Sequence, residues 1–325
     1  MRVSFLYWNF RTLLAWGLAV VAFVIFAIAT PNLLNVGNIY ALLQTLSVLA
    51  LVASGLGLIM IAGEFDISIA GTLPLAALIA VKASDAIGAF PAILLAVVVG
   101  IAFGFVNGWI TATFRIPSLA VTVGSMVLAV GIGFAIAAGQ LVQASDFAPG
   151  LLLTERIAGV FSLQSLIQLT LAVLLFLAIR YTWFGRNVYA VGSDRDRAAN
   201  SGVPVVRTVI GCFTVSGAFT ALAGALQGTS LATGTAGPNE AFLLQAATAA
   251  ILGGVALTGG RGSLLGVLGA SLLLAIIANG LSLLGADTAT IQLVNGTMLL
   301  LVVVIDRPLD RVIEKRTARR VLART

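Results

Sequence analysis

The chain has 325 residues, of which 60% are hydrophobic and only 9% charged, with mean hydropathy +1.10. That composition belongs in a bilayer, and no polar stretch is long enough for a separate soluble domain. The net charge of +6 comes from basic residues scattered at the ends of apolar runs, which speaks against nucleic acid. His is absent and Cys212 is the single cysteine, so disulfide frameworks, zinc sites and Cys/His catalysis are excluded.

A bilayer crossing takes roughly 20 apolar residues in a helix, whose backbone is satisfied internally. Runs such as 13–29 do not alternate as barrel strands would. In chain order the apolar runs predict ten spans, at about 12–30, 39–62, 66–81, 91–113, 118–139, 161–180, 208–228, 242–260, 263–284 and 289–305. With the N-terminus inside, cytoplasmic gaps hold Arg2, Arg11, Arg115, Arg180, Arg186, Arg195, Arg197, Arg207, Arg261 and the tail 306–325. Outer gaps hold only Lys82 and Arg156 among basic residues, with Asp85, Asp146, Glu155, Glu240 and Asp287. Adding or dropping one span would put Arg115 or the 180–207 cluster outside, against the positive-inside bias. The expected fold is therefore an all-α integral membrane protein of about ten transmembrane helices, one domain over 1–325, with both termini cytoplasmic. The first run superficially resembles a signal peptide ending Ala27-Ile28-Ala29, but it is long for one and its removal would leave an odd span number.

Glu64 and Asp66 lie between the second and third runs with no basic neighbour in sequence. Two readings stand: a turn in which Asp66 caps the third helix, or intramembrane carboxylates that couple transport to an ion. Gly100, Gly104 and Gly108 share one face of the fourth run; Gly217, Ala221 and Ala225 do so in the seventh, and Gly262, Gly266 and Ala270 in the ninth. Small residues at this spacing let helices approach closely in lipid. The amides Gln44, Asn107, Gln245, Asn279, Gln292 and Asn295 lie within spans, either as helix glue or as a translocation path for a neutral polar solute.

Between the sixth and seventh runs a loop of about 182–207 carries a predicted short helix over Asp194–Asn200. Ser193 caps it, acids fill its first turn, and Gly202 and Pro204 stop it. Such a compact helix suits either docking of a partner or a solvated loop. No P-loop is present, since neither Lys82 nor Lys315 follows the required glycines, so ATP would have to be hydrolysed elsewhere.

Three segments resemble the permease subunits of bacterial ABC importers for monosaccharides, the ribose/xylose/arabinose/galactoside group. Gly63 to Gly71, with Glu64, Asp66 and Ser68, is similar to the family's Gly-Gly-x-Asp-Leu-Ser-Val-Gly, although Glu64 and Phe65 stand where Gly and Ile are common and Ala70-Gly71 shifts the last glycine. Gly185 to Val203 is similar to its Gly-Arg-x-x-Tyr-Ala-x-Gly…Ala-Ala…Ser-Gly-Ile/Val loop. Ala249–Gly254, Leu257–Gly262 and Asn279–Gly285 carry the third match, and Asn107-Gly108 with Arg115-Ile116-Pro117 adds to it. The resemblance implies a pore between two permease copies or paralogues in the bacterial inner membrane. ATP and Mg would sit on a partner ATPase, and a periplasmic sugar-binding protein would deliver cargo. It implies further that Asp194, Arg195, Asp196, Arg197, Ala198, Ala199, Asn200, Ser201, Gly202 and Val203 form the ATPase-coupling helix. This chain would itself be no enzyme and would hold no metal or cofactor. A related permease for branched-chain amino acids or nucleosides, and an ion-coupled secondary transporter, are the alternatives.

Overall fold

The computed structural model describes residues 2–304, so the tail 306–325 lies outside the described residues. Each of the ten predicted apolar runs contains a helix. Eight are long and apolar enough to cross a membrane: α1 (Arg2–Ala29), α2 (Val36–Ile61), α3 (Ile69–Ile87), α4 (Ala89–Phe114), α5 (Ser118–Ala137), α7 (Leu163–Tyr181), α10 (Val205–Leu231) and α12 (Leu264–Leu283). Two are shorter, α11 (Glu240–Leu252) and α13 (Thr288–Val304). Short helices α6 (Ala148–Thr154), α8 (Trp183–Ser193) and α9 (Arg195–Asn200) fill connections. A two-residue ladder pairs β1 (Val142–Gln143) antiparallel with β2 (Thr233–Gly234). The chain is an all-α integral membrane protein.

The helix α2 is the axis of the bundle. It is apolar on every side and buried continuously from Leu46 to Ile61, as expected of a helix surrounded by protein. By contrast α1, α4 and α5 leave large apolar side chains such as Leu13, Phe105 and Val127 uncovered, a surface that lipid satisfies. The glycine faces meet as the spacing predicts. A Cβ on Gly104 would strike the Phe213 carbonyl, one on Gly100 would strike Ala221 and Gly217, and α4 and α10 form the most extensive helix pair. In α12, Gly266 packs against the Gly253 carbonyl and Ala270 is buried, whereas Gly262 lies before the helix.

Two spans depart from the sequence expectation. The third runs to Ile87 rather than 81, stopping at Gly88, whose φ of 84° ends the helix. The eighth is helical only to Leu252, not to 260. Gly254, at φ 94°, allows the Val255 N–H to donate back to the Ala250 carbonyl at 3.0 Å, a Schellman close that ends α11 after 13 residues. At 1.5 Å per residue α11 is about 20 Å long, less than the roughly 30 Å hydrocarbon core.

The connection into α11 also folds back into the bundle. Gly234 lies against Leu78 of α3, yet the Asn239 N–H donates to the Ala70 carbonyl at 2.8 Å. Between those points the chain retreats along α3 by about 12 Å, the rise of the intervening turns. The start of α11 therefore lies beside Ala70, with Pro238 to Ala241 exposed and the helix buried from Ala246 to Ile251.

Candidate functional site

The first candidate region is the arginine-rich end. The segment expected to be a loop at 182–207 is two helices, α8 and α9, separated at Asp194. Asp194, not Ser193, is the cap. Its Oδ1 accepts the Arg197 N–H at 2.9 Å, while the Ser193 hydroxyl turns back to donate to the Tyr189 carbonyl at 2.7 Å. At the far end Gly202, at φ 79°, lets the Val203 N–H reach the Ala198 carbonyl at 3.0 Å. Of α9 only Ala198 is buried; Asp196, Arg197, Ala199, Asn200, Ser201 and Gly202 are exposed, and Val203 is half-buried. The result is a short, doubly capped knob with one face on the protein.

Glycine sets the seat of that knob. Gly192, at the end of α8, is pressed against the Ile61 carbonyl, and a Cβ there would also lie 2.6 Å from the Gly260 nitrogen. The Gly260 N–H donates to the same Ile61 carbonyl at 2.8 Å, and a Cβ on Gly259 would lie 2.6 Å from Gly63 Cα. The Tyr189 hydroxyl donates to the Gly262 carbonyl at 2.9 Å. Three distant segments thus meet backbone to backbone at Gly63, Gly192 and Gly259-Gly260. Beside them, a cavity of about 750 Å³ between α9 and the ends of α4 and α10 is lined by Arg115, Arg195, Asp196 and Arg207.

The second region is the strap 62–68 between α2 and α3. Glu64, whose side chain is 8% exposed, forms an ion pair with Arg195 of α9. The Phe65 N–H donates to Ser118 Oγ and the Ile67 N–H to Thr122 Oγ1, each at 3.1 Å, so α5 holds the strap. Asp66 is not the N-cap of α3. Ser68 occupies that position without a side-chain cap bond, and Asp66 Oδ1 accepts both the Ser68 N–H at 2.9 Å and the Ser68 hydroxyl at 2.5 Å. Asn107 of α4 donates to Ser68 Oγ at 3.0 Å. Asn107 therefore works in this buried network.

The third region is a cavity of about 490 Å³ where α11 begins, between α2, α12 and α13. Thr45, Asn239, Gln245, Thr288, Gln292 and Asn295 supply its polar lining, Phe242 supplies an aromatic face, and no charged residue lines it among the described residues. Asn295 Oδ1 is buried without a hydrogen-bond partner, an arrangement that costs about 1–3 kcal/mol unless something in the cavity donates to it. The Asn239 side chain caps α11 by accepting the Phe242 N–H at 3.2 Å.

The fold thus sorts the amides that sequence left equivalent. Gln245, Gln292 and Asn295 converge on one cavity. Asn279 instead makes a reciprocal pair with Asn38, each amide nitrogen 2.9 Å from the other's oxygen, and Gln44 donates to the hydroxyl of Ser162, the cap of α7, at 2.7 Å. Those two are glue between helices. Asn279→Leu is expected to lower the thermal midpoint of the purified protein, corresponding to about 0.6–2 kcal/mol, while leaving solute selectivity unchanged. Altered selectivity at an unchanged midpoint would place Asn279 on the path instead. Sequence reading missed Asn38, Thr45, Asn239 and Thr288. Of these only Asn239 carried a local signal, as a capping type directly before the acidic Glu240.

Comparison with known proteins is consistent in kind. Residues 38–303 match the family described as branched-chain amino acid transport system / permease component. The L-arabinose transport system permease protein of Escherichia coli (strain K12) is 32% identical over 304 residues, covering 90% of this chain and 90% of that protein. The fructose import permease protein of Rhizobium meliloti is 29% identical over 283 residues, 83% of this chain and 78% of that protein. The ribose import permease protein of Bacillus subtilis is 28% identical over 288 residues, 87% and 89% of the two chains. No solved structure matches the chain.

Proposed function

Because the chain belongs to the branched-chain amino acid transport system / permease component family, a group of multi-pass inner-membrane permeases, we propose that it is the membrane subunit of an ATP-driven importer carrying a monosaccharide or similar polyol. The observation that carries the choice of cargo is the uncharged cavity at the start of α11. A zwitterionic amino acid would bring an ammonium and a carboxylate into the bundle, and each would need a charge partner or several donors there. A sugar needs neutral donors and acceptors around its hydroxyls and an apolar face against its ring. Four amides, two threonines and Phe242 offer that set. The import permeases for L-arabinose, fructose and ribose support the same class.

The exposed knob α9 is proposed to seat in a partner ATPase, which would hold ATP and Mg, with the arginine-rich end and both termini facing the cytoplasm. A second copy or paralogue of the permease would complete the pore, and a periplasmic sugar-binding protein would load it. Closure of the ATPase can shift the permease only by its different affinity for the two permease states. Ion coupling is disfavoured by the carboxylates themselves, since Glu64 is paired with Arg195 and Asp66 is bonded to Ser68.

Uptake of labelled L-arabinose, ribose, fructose and leucine by cells expressing the complete importer tests the cargo class. At least one monosaccharide should accumulate, and excess leucine should not compete with it. Accumulation of leucine with no response to sugars would overturn the reading.

A further inference from the structure

Resting on the reading of α9 as the ATPase-facing knob, we infer that the Glu64–Arg195 ion pair is the link through which movement of α9 reaches the solute cavity. Arg195 opens α9, and its side chain is 40% exposed, whereas Glu64 is almost buried in the strap. Glu64 is also one of the positions at which Gly63–Gly71 departs from the pattern it resembles.

From Glu64 the connection is short and stiff. The Glu64 N–H is held by the Ile59 carbonyl at 3.1 Å, so the residue is anchored to α2. Phe65 and Ile67 are held by α5, and Asp66 is locked to Ser68, which α4 also holds through Asn107. Two residues beyond Ser68, the Ala70 carbonyl accepts the Asn239 N–H at 2.8 Å. Asn239 caps α11 and lines the cavity together with Gln245. A pull on Glu64 is therefore carried by a strap with no free backbone turn to the residue that fixes the start of α11. The glycine seat also touches the start of the strap at Gly63, besides α2 and the 259–262 turn, but it does so from α8 and not from α9. The ion pair is the polar side-chain contact, among the described residues, that joins α9 itself to the strap.

Glu64 and Arg195 are positioning residues in this scheme, and neither touches solute. The test is the ratio of ATP hydrolysed to sugar accumulated, measured on the permease purified with its ATPase in proteoliposomes supplied with the solute-binding protein, using whichever of L-arabinose, ribose or fructose the wild type accumulates. Glu64→Gln and Arg195→Gln should each raise that ratio about tenfold, the order of a typical coupling between sites. The exchange Glu64→Arg with Arg195→Glu should bring it back to within about threefold of wild type. A purely structural pair would lower yield or thermal midpoint and leave the ratio unchanged in the surviving protein, and that result would overturn the inference. So would an exchange variant no better than the single ones. If wild-type accumulation itself ignores ATP, the reading of α9 as an ATPase-facing knob fails, and the inference fails with it.

Discussion

Gly192→Val is expected to leave almost no correctly folded protein. The glycine lies against the Ile61 carbonyl and the Gly260 nitrogen, so any side chain enters the space of two backbones that are themselves hydrogen-bonded at 2.8 Å. Neither neighbour can yield cheaply. Ile61 ends the most buried helix of the bundle, and Gly260 is held at φ 70° with its own Cβ space occupied by Ser193. Overpacking of this kind costs about 1–3 kcal/mol where side chains can move, and more when the obstruction is backbone. Losing the Gly260–Ile61 bond adds about 1 kcal/mol. The matched control is Gly131→Val on α5, where nothing lies within 4 Å of a new Cβ. Size-exclusion elution and the thermal midpoint of the two purified variants give the comparison. A monodisperse Gly192→Val protein with the control's midpoint would mean that the three segments do not meet so closely.

The second large effect concerns the cavity. Gln245→Leu combined with Asn295→Leu should cut sugar uptake about 100-fold, as expected when two hydrogen bonds of roughly 1–1.5 kcal/mol each are removed from a bound hydroxyl compound. Folding should not suffer. Asn295 Oδ1 is already buried without a partner, so an apolar replacement of similar size removes a desolvated acceptor and should hold or raise the midpoint. The opposite pattern, with uptake retained and stability lost, would return both residues to the role that Asn279 plays.

These two sites differ in how far they could be read from sequence. Helix-length apolar runs and the four-residue glycine spacing of α4 and α10 depend on local order alone, and they translate directly into helices and a close crossing. The short helix at 195–200 was legible for the same reason, because its stop is written in Gly202 and Pro204. The end of α11 was not. Ala249 to Leu257 is apolar whether helical or not, and hydropathy cannot distinguish a span from a half-helix followed by a turn. Gly253-Gly254 marked the break, yet glycines also lie inside unbroken helices, as Gly100, Gly104 and Gly108 do in α4. The Glu64–Arg195 pair joins residues 131 positions apart and has no local signature at all. The amides illustrate the same limit: Asn279 and Asn295 both lie on apolar helices, and only the opposing Asn38 makes one a fastener.

The reading of a conduit driven from outside its own walls has one decisive measurement. The permease, its ATPase and the solute-binding protein are reconstituted in vesicles, and labelled sugar uptake is followed with ATP or with an imposed proton or sodium gradient. Accumulation should require ATP and the ATPase and persist in the presence of an uncoupler. Accumulation by the permease alone, driven by either ion gradient and abolished by its collapse, would contradict it.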